Sequence, residues 1–418
     1  MNESSEQPNV LSLNDVCLEG IMKNLGIKNQ LKLARTCRRF RIVFQNYVGP
    51  FCELMNMEFT TALTEMELKS LLELVGDYVQ SLAIPITPLY KVEGYMRLLS
   101  KNCPNLRRLQ LLLKMSLLED SVDPSKRDTL SNRERFVAYD DLEELTSMLR
   151  DLPRLSARLA DFKTLLSLEL YTYVGISKSF VLNCCQAMRN LRYLNLQRHP
   201  DDLNQKDFRS IMRICPLLER FGFAVRSEFQ ECECICELSE LQHVLIWHHK
   251  PLRAELLDAL KKKSTKPIQS LILIGPLIPE EQIQDICAIS TLRELQLFCQ
   301  ASDIDTLLKL KELQILHITI RAKKEQLKPL VFGFPKLFLL NIWLSEWTME
   351  HYVRDLYVID ARPLKEHHSL HLFIEGYKPD WKILERPDDA ANKKVIKILS
   401  KPNNWAVLLN TEIIIKDN

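Results

Sequence analysis

The spacing Leu191, Leu194, Leu196 within the stretch Asn190 to Gln197 constrains this chain more than any other feature. Leucines at i, i+3 and i+5 follow neither the 3.6-residue stripe of a helix nor strict alternation. They suit a chain that its first leucine turns into a short strand, with the next two leucines pointing inward and the residues between them pointing out. The skeleton recurs at Val79/Leu82/Ile84, Leu106/Leu109/Leu111, Leu165/Leu168/Leu170, Leu218/Phe221/Phe223 and Leu241/Val244/Ile246. It continues at Ile268/Leu271/Leu273, Leu292/Leu295/Leu297, Leu313/Leu316/Ile318 and Leu337/Leu340/Ile342. Successive first positions lie 21 to 27 residues apart, except for one interval of 59 between Leu106 and Leu165.

A period of about 20 to 29 residues is that of the leucine-rich repeat, in which each unit covers its neighbour. The expected fold is therefore α/β: an N-terminal three-helix module, then a curved solenoid with parallel strands inside and helices outside. Repeats span 77–375, after a linker and first repeat helix over 49–76, and a C-terminal cap takes 376–418. Thr64 and Glu67 form a capping box for a helix over Glu65 to Val75, stopped by Gly76. Further helices are read over Lys91 to Asn102, behind the cap Asn204, with Pro279 in the first turn of another, and over Met349 to Val358 behind Thr348. The long interval holds an insertion at 119–138, rich in Ser, Asp, Arg and Asn. It is either a tolerated loop or a segment phosphorylatable at Ser121, Ser125, Thr129 or Ser131. Leu142, Leu145, Met148 and Leu149 then mark a helix. Beyond Ile342, a strand is expected around Leu370, Leu372 and Ile374, and a helix near Asp389 to Ser400, ahead of Trp405 to Ile415.

Residues 1–10 read as a disordered lead-in, and three short helices should follow. The first carries Val16, Leu18, Ile21, Met22 and Leu25 and is closed by Gly26; the second fits Gln30 to Arg35; the third runs from about Cys37 to Tyr47. Segment 11–48 resembles an F-box, through Leu13 and Asp15 at the opening, Leu18, Ile21, Leu25, Leu31 and Ala34, and the closing Cys37, Arg38, Arg39, Phe40. The family usually opens with Leu-Pro and closes on Trp; here Asn14 and Phe40 stand there, and the fixed φ of proline is absent. The resemblance implies docking to a Skp-family adaptor, and through it a cullin, with Leu13, Leu18, Ile21, Leu25, Leu31, Ala34, Cys37 and Phe40 as contact positions. The other reading is a helical cap sealing the first repeat. The Cys-Pro-x-Leu phrases at Cys103 and Cys215 look like the cysteine-containing repeat class common in F-box proteins, where the cysteine is a small buried packing residue.

Lys plus Arg number 56 against 54 Asp plus Glu, a net charge of +2, which offers no electrostatic case for nucleic acid or membrane as a partner. The polar start from Met1 to Val10 has no apolar core of a signal peptide, so the 12 cysteines are expected as reduced thiols in cytoplasm or nucleus. With 10 glycines and no phosphate-cradling loop, nucleophile elbow or H-E-x-x-H helix, no catalytic role is expected, and no cofactor. Cys232, Cys234 and Cys236 could reach a metal with His243 or His248, but their spacing is too tight for a usual zinc site and better suits a strand or turn edge. Lys261, Lys262 and Lys263 fit the carbonyl end of a helix.

Function should lie on the residues that project between the inward leucines: Tyr171, Tyr193, His243, Trp247, Phe298, His317, Trp343, His371 and Phe373. Large aromatics in such places are partner anchors, or are covered by neighbouring side chains or the C-terminal segment. The expected role is that of a non-catalytic substrate receptor in an SCF-type cullin-RING ubiquitin ligase, with the concave face of the repeats holding a protein. The alternative is a leucine-rich repeat scaffold without a ligase role.

Overall fold

The computed structural model describes residues 10–86, 92–113, 154–172, 178–197, 203–321, 329–330, 333–344, 370–374 and 396–399. Expectations for the lead-in, the insertion at 119–138, the helices at Leu142 to Leu149 and Met349 to Val358, and Trp405 to Ile415 fall outside these residues. The chain divides into two compact units, 1–201 with 210–218 and 202–209 with 219–418. The repeats extend through both.

The first unit opens with helices α1 (Asp15–Lys23), α2 (Ile27–Ala34) and α3 (Arg38–Val48). Asn14 caps α1 by accepting the Cys17 amide at 2.9 Å, so a side-chain hydrogen bond does what a proline ring does elsewhere. Gly26 does not close α1 as expected. That helix ends at Lys23 with Asn24 as its cap residue, and Gly26 stands at the start of α2. The turn that follows α1 is braced instead by buried Gln30, whose Nε2 donates to Met22 O and Leu25 O at 2.9 Å each. Beyond α4 (Met57–Thr61), α5 (Glu65–Val75) starts on the expected capping box of Thr64 and Glu67. Gly76 ends α5 with φ −60°, so its role is space: a Cβ there would sit 2.1 Å from Asn102 O.

Strands β1 (Leu54–Met55), β2 (Ser81–Ile86), β3 (Arg108–Leu113), β4 (Ser167–Thr172) and β5 (Tyr193–Gln197) pair in parallel, each with the next. Helices α6 (Val92–Asn102) and α7 (Lys178–Ala187) fill two of the crossovers. α8 (Gln205–Ile214), whose first residues up to Arg209 belong to the second unit, starts at Asn204, whose side chain accepts the amides of Lys206 and Asp207.

In the second unit β6 (Arg220–Val225), β7 (His243–His248), β8 (Ser270–Ile274), β9 (Glu294–Gln300), β10 (Ile315–Arg321), β11 (Leu339–Leu344), β12 (Leu370–Ile374) and β13 (Ile396–Leu399) pair in the same sequential parallel way. α9 (Ala254–Lys262), α10 (Glu280–Cys287) and the short α11 (Ile304–Leu307) lie between them. β13 corrects the helix expected near Asp389 to Ser400. Ile396 and Ile398 alternate around Lys397 with a period of two, and they fall in register with Leu370 and Leu372.

One hydrogen-bond motif recurs along the ladder. The carbonyl just before a strand accepts two consecutive amides from the repeat that follows: Glu53 from Gln80 and Ser81, Gln80 from Arg107 and Arg108, Arg107 from Leu166 and Ser167, Leu166 from Arg192 and Tyr193. Glu219, Gln242, Gln269, Arg293 and Gln314 do the same in the second unit. The shared acceptor turns the backbone into the strand and holds the register, because a slip of one residue would exchange the two faces. It also shows that the ladder begins at Glu53, with β1, inside the stretch the leucine spacing leaves as a linker. The three skeleton positions of each repeat from Val79 to Ile318 lie inside, none more than 3 % exposed. Each such side chain contributes roughly 1.5 to 3 kcal/mol through burial. Cys103 and Cys215 are buried among them, and the Cys215 thiol sits 3.8 Å from Cys185 O and 3.7 Å from Met188 O.

Candidate functional site

Two regions carry groups that the fold does not itself consume. The first is the helical module. Leu18, Leu31, Ala34 and Phe40 are buried and form its core with Met22, Val43 and Phe44, whereas Leu25 and Cys37 are half-buried. Leu13 (38 % exposed), Val16 (75 %) and Ile21 (37 %) remain on the outside, with Cys17. Arg39 on α3 reaches back to the main-chain carbonyls of Leu11 and Leu13 and pairs with Asp15 at 3.2 Å, which pins the segment bearing Leu13. The opposite side of the module packs on the first repeat: Gln45 Nε2 donates to Leu74 O at 2.7 Å, and Lys28 meets Glu67 at 3.3 Å. These exposed apolar side chains are therefore left over after the module has covered its neighbour.

The second region is the sheet face opposite the leucines. Strand pairing aligns it into rows that cross the strands. In the first unit Arg108, Ser167 and Tyr193 form one row, Gln110, Glu169 and Asn195 the next, and Leu112, Tyr171 and Gln197 a third. Tyr171 and Tyr193 thus stand on this face, with Tyr193 buried and Tyr171 half-buried. In the second unit Arg220, His243, Ser270 and Glu294 make a row across β6 to β9. Trp247 is buried in the row of Ala224 and Ile274, while Phe298 and His317 are half-buried. Position 343 pairs with Thr319, position 371 with Leu339, and position 373 with Asn341, which is itself beside His317. For Trp343, His371 and Phe373 the structure thus gives register positions in the ladder.

Leucine spacing picks out the aromatics and imidazoles here but passes over the polar residues between them. Glu169 is at the centre of a buried network. Arg108 Nε donates to its Oε1 at 2.9 Å, with Arg108 Nη2 on the same oxygen. Gln110 Nε2 at 3.0 Å, the Tyr171 hydroxyl at 2.7 Å and Asn195 Nδ2 at 3.5 Å all reach its Oε2. Asn195 Nδ2 also lies 3.2 Å from the Tyr193 hydroxyl, and the Arg108 guanidinium stands 5.9 Å from that ring's centroid. Burial, then the Glu169 charge, push the Tyr171 phenol well above its ordinary range. Desolvation works most strongly against the Arg108 charge, but Glu169 with Tyr193 and Tyr171 together outweigh it and the guanidinium stays protonated. In the second unit Ser270 Oγ donates to Glu294 Oε2 at 2.5 Å. Burial and the adjacent Arg220 bring His243 down to about 3, and burial alone brings His317 down to about 4, so both imidazoles are neutral at pH 7. Asn341 Nδ2 lies 3.3 Å from His317 Nδ1, which then accepts. The signal that finds these residues is the same repeat position read across successive copies, not along one.

Cys232 and Cys234 are buried in and beside a short 3-10 turn, Glu233–Glu237. Burial raises the thiols of Cys234 to about 11 and Cys236 to about 12. Among the described residues no group of three or more His, Cys, Asp or Glu side chains is placed to hold a metal ion. A cavity of about 490 Å³ at the N-terminal ends of the first unit's strands is lined by Glu53, Asp77, Gln80, Asn105, Arg107 and Thr164 among others. Asn105 there donates to Asp77 O and Thr164 to the carbonyls of Pro104 and Leu106, so those groups brace loops.

The F-box domain family matches residues 10–48. The chain carries an N-terminal F-box, and leucine-rich repeats follow it. The Asn14 cap, the Arg39 clasp and the exposed Leu13, Val16 and Ile21 all belong to this F-box. No curated protein matches the chain. Among solved structures the chain is similar to one in the yeast Rad7 and Elc1 complex, with 12 % identity over 80 % of this chain and 91 % of that one, at a TM-score of 0.37. It is similar to an internalin from Listeria monocytogenes, at 16 % identity over 68 % and 71 % of the two chains, with a TM-score of 0.31. A leucine-rich repeat protein of Leptospira interrogans shares 13 % identity over 84 % and 96 %, with a TM-score of 0.29.

Proposed function

We propose that this chain is the substrate-recognition subunit of an SCF-type cullin-RING ubiquitin ligase. The F-box docks a Skp-family adaptor and through it a cullin, and the repeats hold a protein for ubiquitin transfer. The chain itself makes and breaks no bond; it raises the effective concentration of substrate beside the charged conjugating enzyme. The observation that supports this reading best is the exposure of the apolar side chains Leu13, Val16 and Ile21. They stay exposed on the F-box after the module has buried its own core and covered the first repeat. Aliphatic groups held outward on a pinned segment favour a partner that removes them from water. On the sheet face, Tyr171, Tyr193, His243, Trp247, Phe298, His317, Trp343, His371 and Phe373 are the proposed substrate-facing positions. Among the described residues no helix is long and apolar enough to cross a membrane, and the working compartment proposed is cytoplasm or nucleus.

Contact between the F-box and the first repeat favours a second reading, in which the module only seals the end of the ladder and the chain is a scaffold. Capture of purified Skp-family adaptor and cullin by the full chain and by Ile21→Arg separates the two. Capture by the full chain and its loss in the variant support the receptor; no capture by either leaves the scaffold.

A further inference from the structure

We propose that the sheet face over β3 to β5 is a site for a neutral amide of a polypeptide, with Arg108 donating to the amide oxygen and Asn195 accepting from its N–H. This rests on the substrate-receptor reading, because it names the chemistry that the face would hold. Among the described residues, three polar atoms of the cluster find no hydrogen-bond partner: Arg108 Nη1, Asn195 Oδ1 and Ser167 Oγ. Their residues are 5 %, 2 % and 1 % exposed and occupy neighbouring strands, with Ser167 in register between Arg108 and Tyr193. Buried donors and acceptors are almost always satisfied, so three unsatisfied together mark an incomplete network rather than a structural one. Glu169 cannot complete it, because both its oxygens already accept from Arg108, Gln110, Tyr171 and Asn195.

The arrangement selects the class of guest. Glu169 neutralises Arg108 at hydrogen-bond distance, which removes most of the attraction for a carboxylate or phosphate. An anion would also set its lone pairs against Asn195 Oδ1. A cation would meet the guanidinium. An apolar group would leave both orphan atoms unmet. An amide offers one acceptor and one donor, matching Arg108 Nη1 and Asn195 Oδ1, and the Ser167 hydroxyl can serve either role. Gln110, Leu112 and Tyr171 on the same face are only half-buried and form the flank from which a chain could approach.

The test uses the full chain with 15N-labelled arginine and asparagine side chains, observed by NMR. The Arg108 signal is identified by its absence in Arg108→Lys and its displacement in Ser167→Ala. Probes are capped Ala-Asn-Ala and Ala-Ala-Ala peptides, with acetate and inorganic phosphate as anionic comparisons. Saturable shifts of the Arg108 and Asn195 signals are expected with peptide, together with an affinity loss of about tenfold or more in Arg108→Lys, which keeps a cation beside Glu169 but lacks the outer N–H. Shifts from both peptides alike assign a main-chain amide; shifts from Ala-Asn-Ala alone assign a side-chain carboxamide. Absence of shifts with either peptide, or equal shifts with acetate or phosphate, overturns the proposal. If Arg108→Lys does not fold, the signals of the unaltered protein and of Ser167→Ala still decide. Adaptor capture by the same sample keeps the questions apart: lost peptide shifts with capture intact remove this inference alone, and lost capture with shifts intact removes the ligase reading alone.

Discussion

Leu18 and Ile21 lie one helical turn apart on α1, yet the fold gives them opposite duties. Leu18 is fully buried, so Leu18→Ala should cost about 2 to 5 kcal/mol of stability, read as a lower denaturant midpoint. Ile21 is exposed, so Ile21→Arg should leave that midpoint within about 0.5 kcal/mol while abolishing adaptor capture, since a charge forced into a desolvated apolar contact costs several kcal/mol. Asn14→Ala removes the side-chain acceptor of the Cys17 amide and should cost about 1 kcal/mol, measurable as a fall in Tm of the isolated unfolding step of the F-box or of the whole chain. The apolar stripe of α1 is legible in the residues. Its division into inward and outward positions is not, because that depends on where α2 and α3 pack and on the Arg39 clasp.

At the level of elements, two close approaches decide how helices sit on strands. Gly76 ends α5 where the carbonyl of Asn102, the last residue of α6, comes near enough to forbid any Cβ. Gly76→Ala should therefore push the first repeats apart and cost roughly 1 to 3 kcal/mol, read by thermal melting. In the second unit Phe208 meets Phe221 and Phe223 edge-on, with centroids 6.1 and 5.1 Å apart. Phe208→Ala should cost about 3 to 5 kcal/mol by emptying that cluster, read by chemical denaturation. Helix starts at Thr64 and Asn204 are legible because capping chemistry is local, and Pro279 marks a third, standing just before its helix. β1 was not visible, since two residues, Leu54 and Met55, carry no periodic signal and are made a strand by the shared carbonyl of Glu53. The strand at Ile396–Leu399 is too short for its alternation to outweigh a helix reading, and its pairing with β12 decides its state.

For the molecule as a whole, the polar face of the second unit makes stability depend on pH. His243 and His317 have folded values of about 3 and about 4, below their ordinary 6.5, so the unfolded chain binds their protons first. Their contribution is fully present above about pH 6.5 and is lost as the pH falls toward 4 and then 3, at up to about 1.4 kcal/mol per unit for each. Glu294, raised by burial against Ser270 and Arg220, opposes this on the acid limb, but one carboxyl stands against two imidazoles. The urea midpoint should therefore drop between pH 6.5 and 4, and His317→Gln should flatten that slope; an unchanged slope would show that the imidazole is solvated in the folded protein.

Residue order alone determined the repeat period, the inward leucine ladder, the helix caps and the likeness of residues 11–48 to an F-box. These are local or periodic properties, and each repeat restates them. Tertiary structure alone decided which F-box residues stay outside, that the ladder starts at Glu53, and that Arg108, Glu169 and Asn195 meet. Those three stand 26 and 61 residues apart in the chain and touch only because parallel pairing sets their strands side by side. Contacts between repeats depend on register, and register is a property of the folded ladder rather than of any single stretch.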